Sequence, residues 1–172
     1  MSLSLILTLS LLLLLLFSAA ASPLASSGGD DDDSPSAYEV LQGYNFPAGI
    51  LPKGVTGYEL DRSTGRFSAY WGGSCSFSLQ GSYQLRYKST ISGYISQNKL
   101  TSLSGVSVKV LFLWLNIVEV ERVGDELEFS VGLASASFTI DNFYESPQCG
   151  CGFDCVGGGA RKIRMKTLAA SI

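Results

Sequence analysis

The feature that most constrains the fold is an alternation of apolar and polar residues with a period of two, which begins near Gly57 and continues through most of the chain. Phe67 and Trp71 alternate with serine and tyrosine, and Leu127 and Phe129 alternate with polar residues in the same way. Successive side chains of a β-strand point to opposite faces of the sheet, so the pattern predicts strands with one buried face. We therefore predict an all-β, mostly antiparallel fold.

One short helix is predicted before the first strand. Ser36 and Glu39 have the spacing of a capping box, in which each side chain binds a free backbone N–H group of the other residue. Pro47 and Pro52 follow closely, and because proline removes a backbone donor the helix cannot extend far. The sequence thus predicts a single short N-terminal helix beside the β-rich region.

The alternation breaks down over residues 106–123, where one alternating set is apolar from Val106 to Trp114 and the other is apolar from Leu111 to Ile117. A strand of this length would span roughly 60 Å at ~3.3 Å per residue, which exceeds the width of a compact domain of this size. We predict one long strand that bends near Asn116 and passes between sheet layers, so that the fold consists of bent, intertwined sheets or a barrel-like sandwich. Its two apolar faces indicate either plain core or the wall of an apolar cavity.

The N-terminal segment predicts the compartment. Residues 3–17 form an apolar run shorter than the roughly 20 residues that a membrane-spanning helix needs. Alanines follow at positions 19–21, as at a signal-peptidase site. We interpret residues 1–21 as a signal peptide, with an uncleaved membrane anchor as the alternative. The expected protein is secreted, extracellular or in the cell wall, with no transmembrane segment in its mature chain.

Composition divides the rest of the chain into three segments. Residues 22–36 are rich in Ser, Gly and Asp and are predicted to be a disordered acidic spacer. Residues 37–156 are predicted to form a single β domain, long enough to bury a core. Residues 157–172 start with three glycines and carry basic residues, so we expect a flexible basic tail. Between the two ends the charges nearly balance, and no basic stripe indicates nucleic-acid binding.

The chain has four cysteines, Cys75, Cys149, Cys151 and Cys155. An even number of cysteines in a secreted domain favours disulfides. A bridge between Cys149 and Cys151 would close a very small ring, so we predict that Cys75 pairs with one of these two and that the other pairs with Cys155. A zinc site of four thiolates is the alternative, but the usual Cys-x2-Cys spacing is missing. We expect no metal and no cofactor.

Catalytic chemistry is restricted because the chain contains no histidine. Ser-His-Asp and Cys-His arrangements and histidine-based metal sites are thereby excluded. Glu119 with Glu121, and Glu126 with Glu128, occupy alternate positions, and paired carboxylates can hydrolyse glycosides when burial raises one pKa. These acids lie at strand ends beside Arg122, where solvated surface charge is the expected explanation. We nominate no catalytic residue.

Several motifs occur together between residues 38 and 155: Phe46-Pro-Ala-Gly-Ile-Leu-Pro52, Gly93-Tyr94-Ile95, the segment 103–114 that contains Val-Lys-Val-Leu-Phe-Leu-Trp, Phe129-Ser-Val-Gly132 and Pro147-Gln-Cys149. In this combination they resemble the plant family known as domain of unknown function 538. The resemblance implies a small, mostly secreted plant protein with an all-β fold, of a kind likened to lipid-binding proteins of the bactericidal/permeability-increasing type. It also implies an esterase-like role as an alternative. Such a role has little support here, because the chain has no histidine that could activate a serine.

The leading hypothesis is a secreted, non-catalytic protein that binds a small amphipathic or lipid-like ligand. Its large aromatic residues and doubly apolar stretch exceed what a plain core requires, and ligand cavities are mostly apolar. The predicted cavity-lining residues are Phe67, Trp71, Phe77, Leu111, Phe112, Trp114, Phe129 and Phe138. The alternatives are a cell-wall or glycan-interacting module that uses Tyr44, Tyr70 and Tyr94, and an esterase-like hydrolase.

Overall fold

A computed structural model describes residues 34–79, 83–153, 155 and 165–170, and the dominant element of these residues is one antiparallel sheet of ten strands. The strands are β1 (Val55–Leu60), β2 (Arg66–Trp71), β3 (Cys75–Leu79), β4 (Tyr83–Ser96), β5 (Lys99–Val110), β6 (Leu113–Asn116), β7 (Glu119–Val123), β8 (Glu126–Ser130), β9 (Ala134–Thr139) and β10 (Met165–Ala170). The strand order runs from β1 to β10 without closing into a barrel. The predicted all-β, mostly antiparallel fold is confirmed.

Helix α1 (Ala37–Gly43) begins at the predicted capping box. The backbone N–H of Glu39 donates to the Ser36 hydroxyl at 3.3 Å, and the backbone N–H of Ser36 donates to the Glu39 carboxylate at 2.7 Å. The bond from the Ser36 backbone lowers the pKa of Glu39, because it favours the charged carboxylate. Ala37 and Leu41 are buried, so one face of α1 packs on the core. A 3₁₀ turn (Ala48–Ile50) follows, and a second one (Ile140–Phe143) follows β9.

The long strands β4 and β5 form the spine of the sheet, and each changes partner along its length. β4 pairs with β3 through residues 83–87 and with β2 through residues 90–94. β5 pairs with β7 through residues 99–100 and with β6 through residues 107–110. We call β3, β6 and the parts of β4 and β5 paired with them the short branch, and the other strands with the rest of β4 and β5 the long branch.

The two branches meet at a bulge between β4 and β5. Tyr87 lies opposite Val106, but the next pair is Ser92 opposite Ser104, so β4 uses more residues than β5 over the same distance. Gly105 lies at this point with a φ of 94°, a conformation that residues with a Cβ rarely adopt. Extra residues in one strand bend that strand and increase its local twist. The sheet therefore bends at Gly105.

The prediction of one bent strand over residues 106–123 is wrong in one respect. β5 ends at Val110, the chain reverses at Leu111 and Phe112, and β6 returns antiparallel to β5. Leu111 makes the reversal with a φ of 56°, although leucine carries none of the usual turn preference of Gly, Asn or Asp. The predicted change of direction near Asn116 does occur, because β6 ends there and β7 pairs with the other end of β5.

The core lies on the concave face of the bent sheet, under α1. Leu127, Val120 and Phe46 are almost completely buried there. Across the concave face, the rings of Tyr83 on β4 and Phe138 on β9 meet edge to face, with centroids 5.8 Å apart. The two branches thus also contact each other through side chains.

The structure contains two disulfides, Cys75–Cys149 and Cys151–Cys155. This pairing is one of the two alternatives that the sequence left open. The first bridge ties the start of β3 to the loop after the second 3₁₀ turn, and the backbone N–H of Gly150 donates to the Ser76 carbonyl at 2.7 Å beside it. The loop is therefore held against the edge of the short branch.

Several predictions concern segments at the two ends of the chain. The proposed signal peptide and residues 22–33 of the acidic spacer lie outside the described residues. Most of the segment expected to be a flexible tail lies outside them too, but residues 165–170 within it form β10, which pairs with β9. In the described ranges we find no helix with the length and apolar character needed to cross a membrane.

We predict that Gly105→Ala destabilises the protein far more than Gly132→Ala. The two glycines have φ values of 94° and 90°, so alanine at either position suffers a similar backbone strain of about 1–2 kcal/mol. At Gly105 an added Cβ would also collide with the Thr90 carbonyl and approach the Ile91 Cα to 3.1 Å, whereas at Gly132 it would meet nothing within 4 Å. The clash should add about 1–3 kcal/mol to the loss at Gly105. Urea unfolding measures both changes, and equal losses would contradict the role of Gly105 in the bend.

We also predict unequal contributions from the two disulfides. Cys75 and Cys149 are 74 residues apart, whereas Cys151 and Cys155 are 4 apart. The loss of chain entropy in the unfolded state predicts about 4 kcal/mol for the long loop and about 2 kcal/mol for the short one. Urea unfolding of the double variants C75A/C149A and C151A/C155A measures the two free energies. A larger loss for the short loop would show that the long bridge does not restrain the unfolded chain as the loop length predicts.

Candidate ligand-binding cavity

The concave side of the sheet contains an apolar cavity of about 300 Å³. Its walls come from both branches of the sheet, from α1 and from the 3₁₀ turn after it. The side chains that line it are mostly aliphatic or aromatic, and the few polar residues along it include Glu59, Ser68 and Ser135. A concave, mostly apolar space with few polar groups is the usual form of a small-molecule site.

The alternation of the strands produces this apolar wall. On the short branch, Leu85 of β4 lies opposite Val108 of β5, and Val108 lies opposite Leu115 of β6. All three residues line the cavity, while Arg86 and Ser107 between them lie on the other face. The same strands therefore present an apolar inner face and a polar outer face.

An aromatic cluster closes the cavity between β8, β9 and the second 3₁₀ turn. The ring of Phe129 lies 5.8 Å from Phe138 and 5.4 Å from Phe143, measured between centroids. Tyr83 contacts Phe138 from the short branch. Because all four of these residues line the cavity, the cluster forms the wall where the two branches approach each other.

Tyr87 supports the cavity from the spine of the sheet. Its hydroxyl donates to the Ile50 carbonyl at 2.9 Å and so joins β4 to the 3₁₀ turn. Burial raises the pKa of Tyr87 far above its ordinary value of 10.0, because the phenolate would lose its hydration. The ring of Trp71 packs beside it with centroids 6.1 Å apart. Tyr87 is therefore a neutral structural residue whose donor is already used.

The structure separates the predicted cavity residues into three groups. Phe67, Phe77, Phe129 and Phe138 line the cavity. Trp71 is buried in the core, but it is not part of the lining, and its indole N–H has no hydrogen-bond partner among the described residues. The remaining three residues are exposed at the β5–β6 turn, because the chain reverses there instead of continuing as a strand: Leu111, Phe112 and Trp114.

The sequence prediction missed several lining residues, among them Tyr83, Leu85, Val108 and Phe143. For the first three the signal was present in the sequence, because they share the alternating face of β4 and β5 with Tyr87 and Val106. Phe143 had no such signal, because it lies in a 3₁₀ turn and not on a strand. That the predicted lining residues contact a ligand stays a prediction.

The three tyrosines considered for glycan binding do not share one surface. Tyr44 ends helix α1 and packs against the core. Tyr70 lies opposite Thr90, and Tyr94 lies opposite Arg66, so Tyr70 and Tyr94 share the outer face of β2 and β4. Tyr94 is 48% exposed, whereas Tyr70 is half-buried. The three rings therefore offer no continuous aromatic platform.

Two of the four carboxylates considered for catalysis, Glu119 and Glu121, form an ion cluster with Lys99 on the long branch. The Lys99 ammonium contacts the Glu119 carboxylate at 3.1 Å and the Glu121 carboxylate at 2.8 Å, and all three side chains are partly exposed. The hydrogen bond to Glu121, followed by the one to Glu119, raises the pKa of Lys99. Glu128 lies opposite Glu121 on β8. Glu119 and Glu121 thus share one lysine as their ion-pair partner at the partly exposed surface.

Comparison with known proteins identifies the family. A family model described as "Protein of unknown function, DUF538" matches residues 37–144. The chain is also 27% identical over 95 residues to the uncharacterized protein At5g01610 of Arabidopsis thaliana, and the match covers 55% of each. The chain thus spans about half the length of this curated relative. The family model covers more than half of the chain and confirms the resemblance drawn from the sequence motifs: the chain belongs to the DUF538 family.

Proposed function

We propose that this protein binds a small amphipathic or lipid-like molecule in the cavity between its two sheet branches, and that binding without catalysis is its role. The observation that carries the proposal is the cavity of about 300 Å³ with its almost entirely apolar wall. Apolar cavities that hold no ordered water accept apolar ligands. Burial of the ligand would contribute about 25 cal/mol for each Å² of apolar surface removed from water.

The size of the cavity favours a medium-length apolar chain or a small ring system. An apolar cavity of about 150 Å³ is large enough to hold benzene. The present cavity is about 300 Å³, and its lining includes Phe138 on the long branch and Val110 on the short branch. We infer that a linear hydrocarbon chain, which can extend from one branch toward the other, suits this lining better than a bulky polycyclic molecule.

The polar end of such a ligand would lie at the end of β5. Val110 lines the cavity and is also 38% exposed, so the cavity reaches the surface beside it. Lys109 precedes it on the outer face, opposite Trp114. A cation beside the opening favours an anionic head group such as a carboxylate. A medium-chain fatty acid has both an apolar chain for the cavity and a carboxylate for the cation beside the opening.

We further propose that the protein works in the secretory pathway. Its four cysteines are all in disulfides, and disulfides persist in oxidising compartments. This agrees with the interpretation of residues 1–21 as a signal peptide. The glycan-binding alternative has less support, because Tyr44 packs on the core away from Tyr70 and Tyr94. For the hydrolase alternative, no pair of carboxylates among the described residues lies together in the cavity.

We predict that Val108→Phe weakens fatty-acid binding at least about tenfold, because the added ring occupies cavity space that the ligand would otherwise fill. A tenfold loss corresponds to about 1.4 kcal/mol of binding free energy. Val108 lies between Leu85 and Leu115 on the inner face. Ser107→Phe is the matched control, because it adds a larger side chain to the outer face one residue away. Native mass spectrometry with dodecanoic acid measures the bound fraction of each variant.

The wild-type protein and the S107F variant should each bind one dodecanoate, and V108F should bind little. Thermal unfolding without ligand shows whether each variant is folded. Equal binding by all three proteins would place the fatty acid outside the cavity, and the absence of binding in the wild-type protein would refute the proposed ligand class.

A further inference from the structure

The turn between β5 and β6 exposes an unusual group of apolar side chains. We call residues 110–114 the β5–β6 tip. Leu111 is 87% exposed and Phe112 is 79% exposed, and the other three are also exposed: Val110, Leu113 and Trp114. Single exposed apolar residues are common, but a contiguous group usually marks an interaction surface.

The fold itself does not require apolar residues at this tip. A tight turn between antiparallel strands normally uses Gly, Asn or Asp, which adopt positive φ values at low cost. Here Leu111 has a φ of 56°, a strained conformation for its residue type. Neither Leu111 nor Phe112 belongs to the core. The tip therefore has a strained backbone and exposed apolar side chains, and neither feature is offset by packing against the core. Interaction sites often combine these features.

The surface around the tip is positively charged. The Arg86 guanidinium lies 4.1 Å from the centroid of the Trp114 ring, and Lys109 lies opposite Trp114 on the outer face. The sequence contains no aspartate or glutamate from residue 62 to residue 118, a stretch that includes all four strand segments of the short branch. The acids of the described strands lie instead on the long branch, on β1, β7 and β8.

We propose that the β5–β6 tip docks the protein onto an anionic lipid bilayer. Leu111 and Phe112 insert among the acyl chains, Trp114 lies at the interface, and Arg86 and Lys109 contact the lipid phosphates. Aromatic rings with a polar edge favour this interfacial depth, and each basic residue near an anionic surface contributes about 1 kcal/mol.

A bilayer fits this surface better than a protein partner does. A stable protein interface needs about 800 Å² from each partner, whereas a narrow hairpin tip can insert into lipid with a small contact area. A second copy of the chain would bring Arg86 and Lys109 close to their own equivalents, and like charges repel. The combination of apolar tip and basic flank therefore points to anionic lipid.

Docking goes beyond the proposed cavity function, although the two share one residue. Val110 belongs to the tip and also lines the cavity, so a docked protein would hold the cavity opening against the membrane surface. Membrane binding does not require an occupied cavity. The V108F variant should consequently bind vesicles as well as the wild-type protein does, even where it fails to bind dodecanoate.

Tryptophan fluorescence with lipid vesicles tests the proposal directly. The chain has two tryptophans, of which Trp71 is buried and Trp114 lies at the tip. Titration with vesicles of mixed phosphatidylcholine and phosphatidylglycerol should shift the emission of Trp114 to the blue, and brominated lipids should quench it. The W114F variant should lose the spectral shift, because Trp71 stays in the core. Sedimentation with the same vesicles measures binding without fluorescence.

The double variant L111S/F112S should bind these vesicles at least about thirtyfold more weakly, since two apolar side chains no longer enter the lipid. Leu133→Ser is the matched control, because Leu133 is 82% exposed at the β8–β9 turn of the long branch. It should bind like the wild-type protein. Lys109→Gln should weaken binding about fivefold on anionic vesicles and leave binding to pure phosphatidylcholine unchanged.

Three results would overturn the proposal. The first is wild-type protein that does not sediment with anionic vesicles, and the second is equal loss of binding in L133S and L111S/F112S. The third is a concentration-dependent dimer that disappears in L111S/F112S, which would assign the tip to a second copy of the chain. The variants of residues 109, 111, 112, 114 and 133 keep all core residues, so circular dichroism should show the wild-type fold in each of them.

Discussion

The rest of the structure depends on the mismatch in length between β4 and β5 at Gly105. Between the pairs Tyr87 with Val106 and Ser92 with Ser104, β4 contains more residues than β5, and the sheet must bend to keep both sides hydrogen-bonded. The bend divides one sheet into two branches that face each other. Without it, the inner faces of β4 and β5 would form a flat apolar surface, and the cavity would not exist.

The cavity itself has an energetic consequence. An unfilled apolar cavity costs about 24 cal/mol for each Å³, because its walls lose packing contacts, and a small domain is stable by only about 5–15 kcal/mol. A space of about 300 Å³ is therefore a substantial cost if it stays empty. The disulfide from Cys75 to Cys149 and the hydrogen bond from Tyr87 to Ile50 hold the two walls in place independently of an occupant. Occupancy by a ligand would offset the remaining cost.

The sequence predicted the parts of the structure that follow from local pattern. The alternation placed Phe67, Phe77, Phe129 and Phe138 on inner faces of strands, and the capping box placed α1. It failed at Leu111, because a reversal made by apolar residues has none of the composition of a turn. The local pattern also could not decide whether Cys149 or Cys151 pairs with Cys75, because that choice depends on which loop backbone lies beside β3. The contact between Tyr83 and Phe138 depends on the bend, which no local pattern specifies.

The distribution of charge connects the bend to the surface properties of the protein. The acids of β7 and β8 lie on the long branch, where Lys99 contacts Glu119 and Glu121, while the short branch carries Arg86 and Lys109 without an acid in its strands. Because the bend sets the two branches at an angle, the basic residues of the short branch lie at one end of the sheet. An anionic surface would attract this end, so the molecule would approach with the β5–β6 tip first. The same bend that encloses the cavity thereby orients its opening.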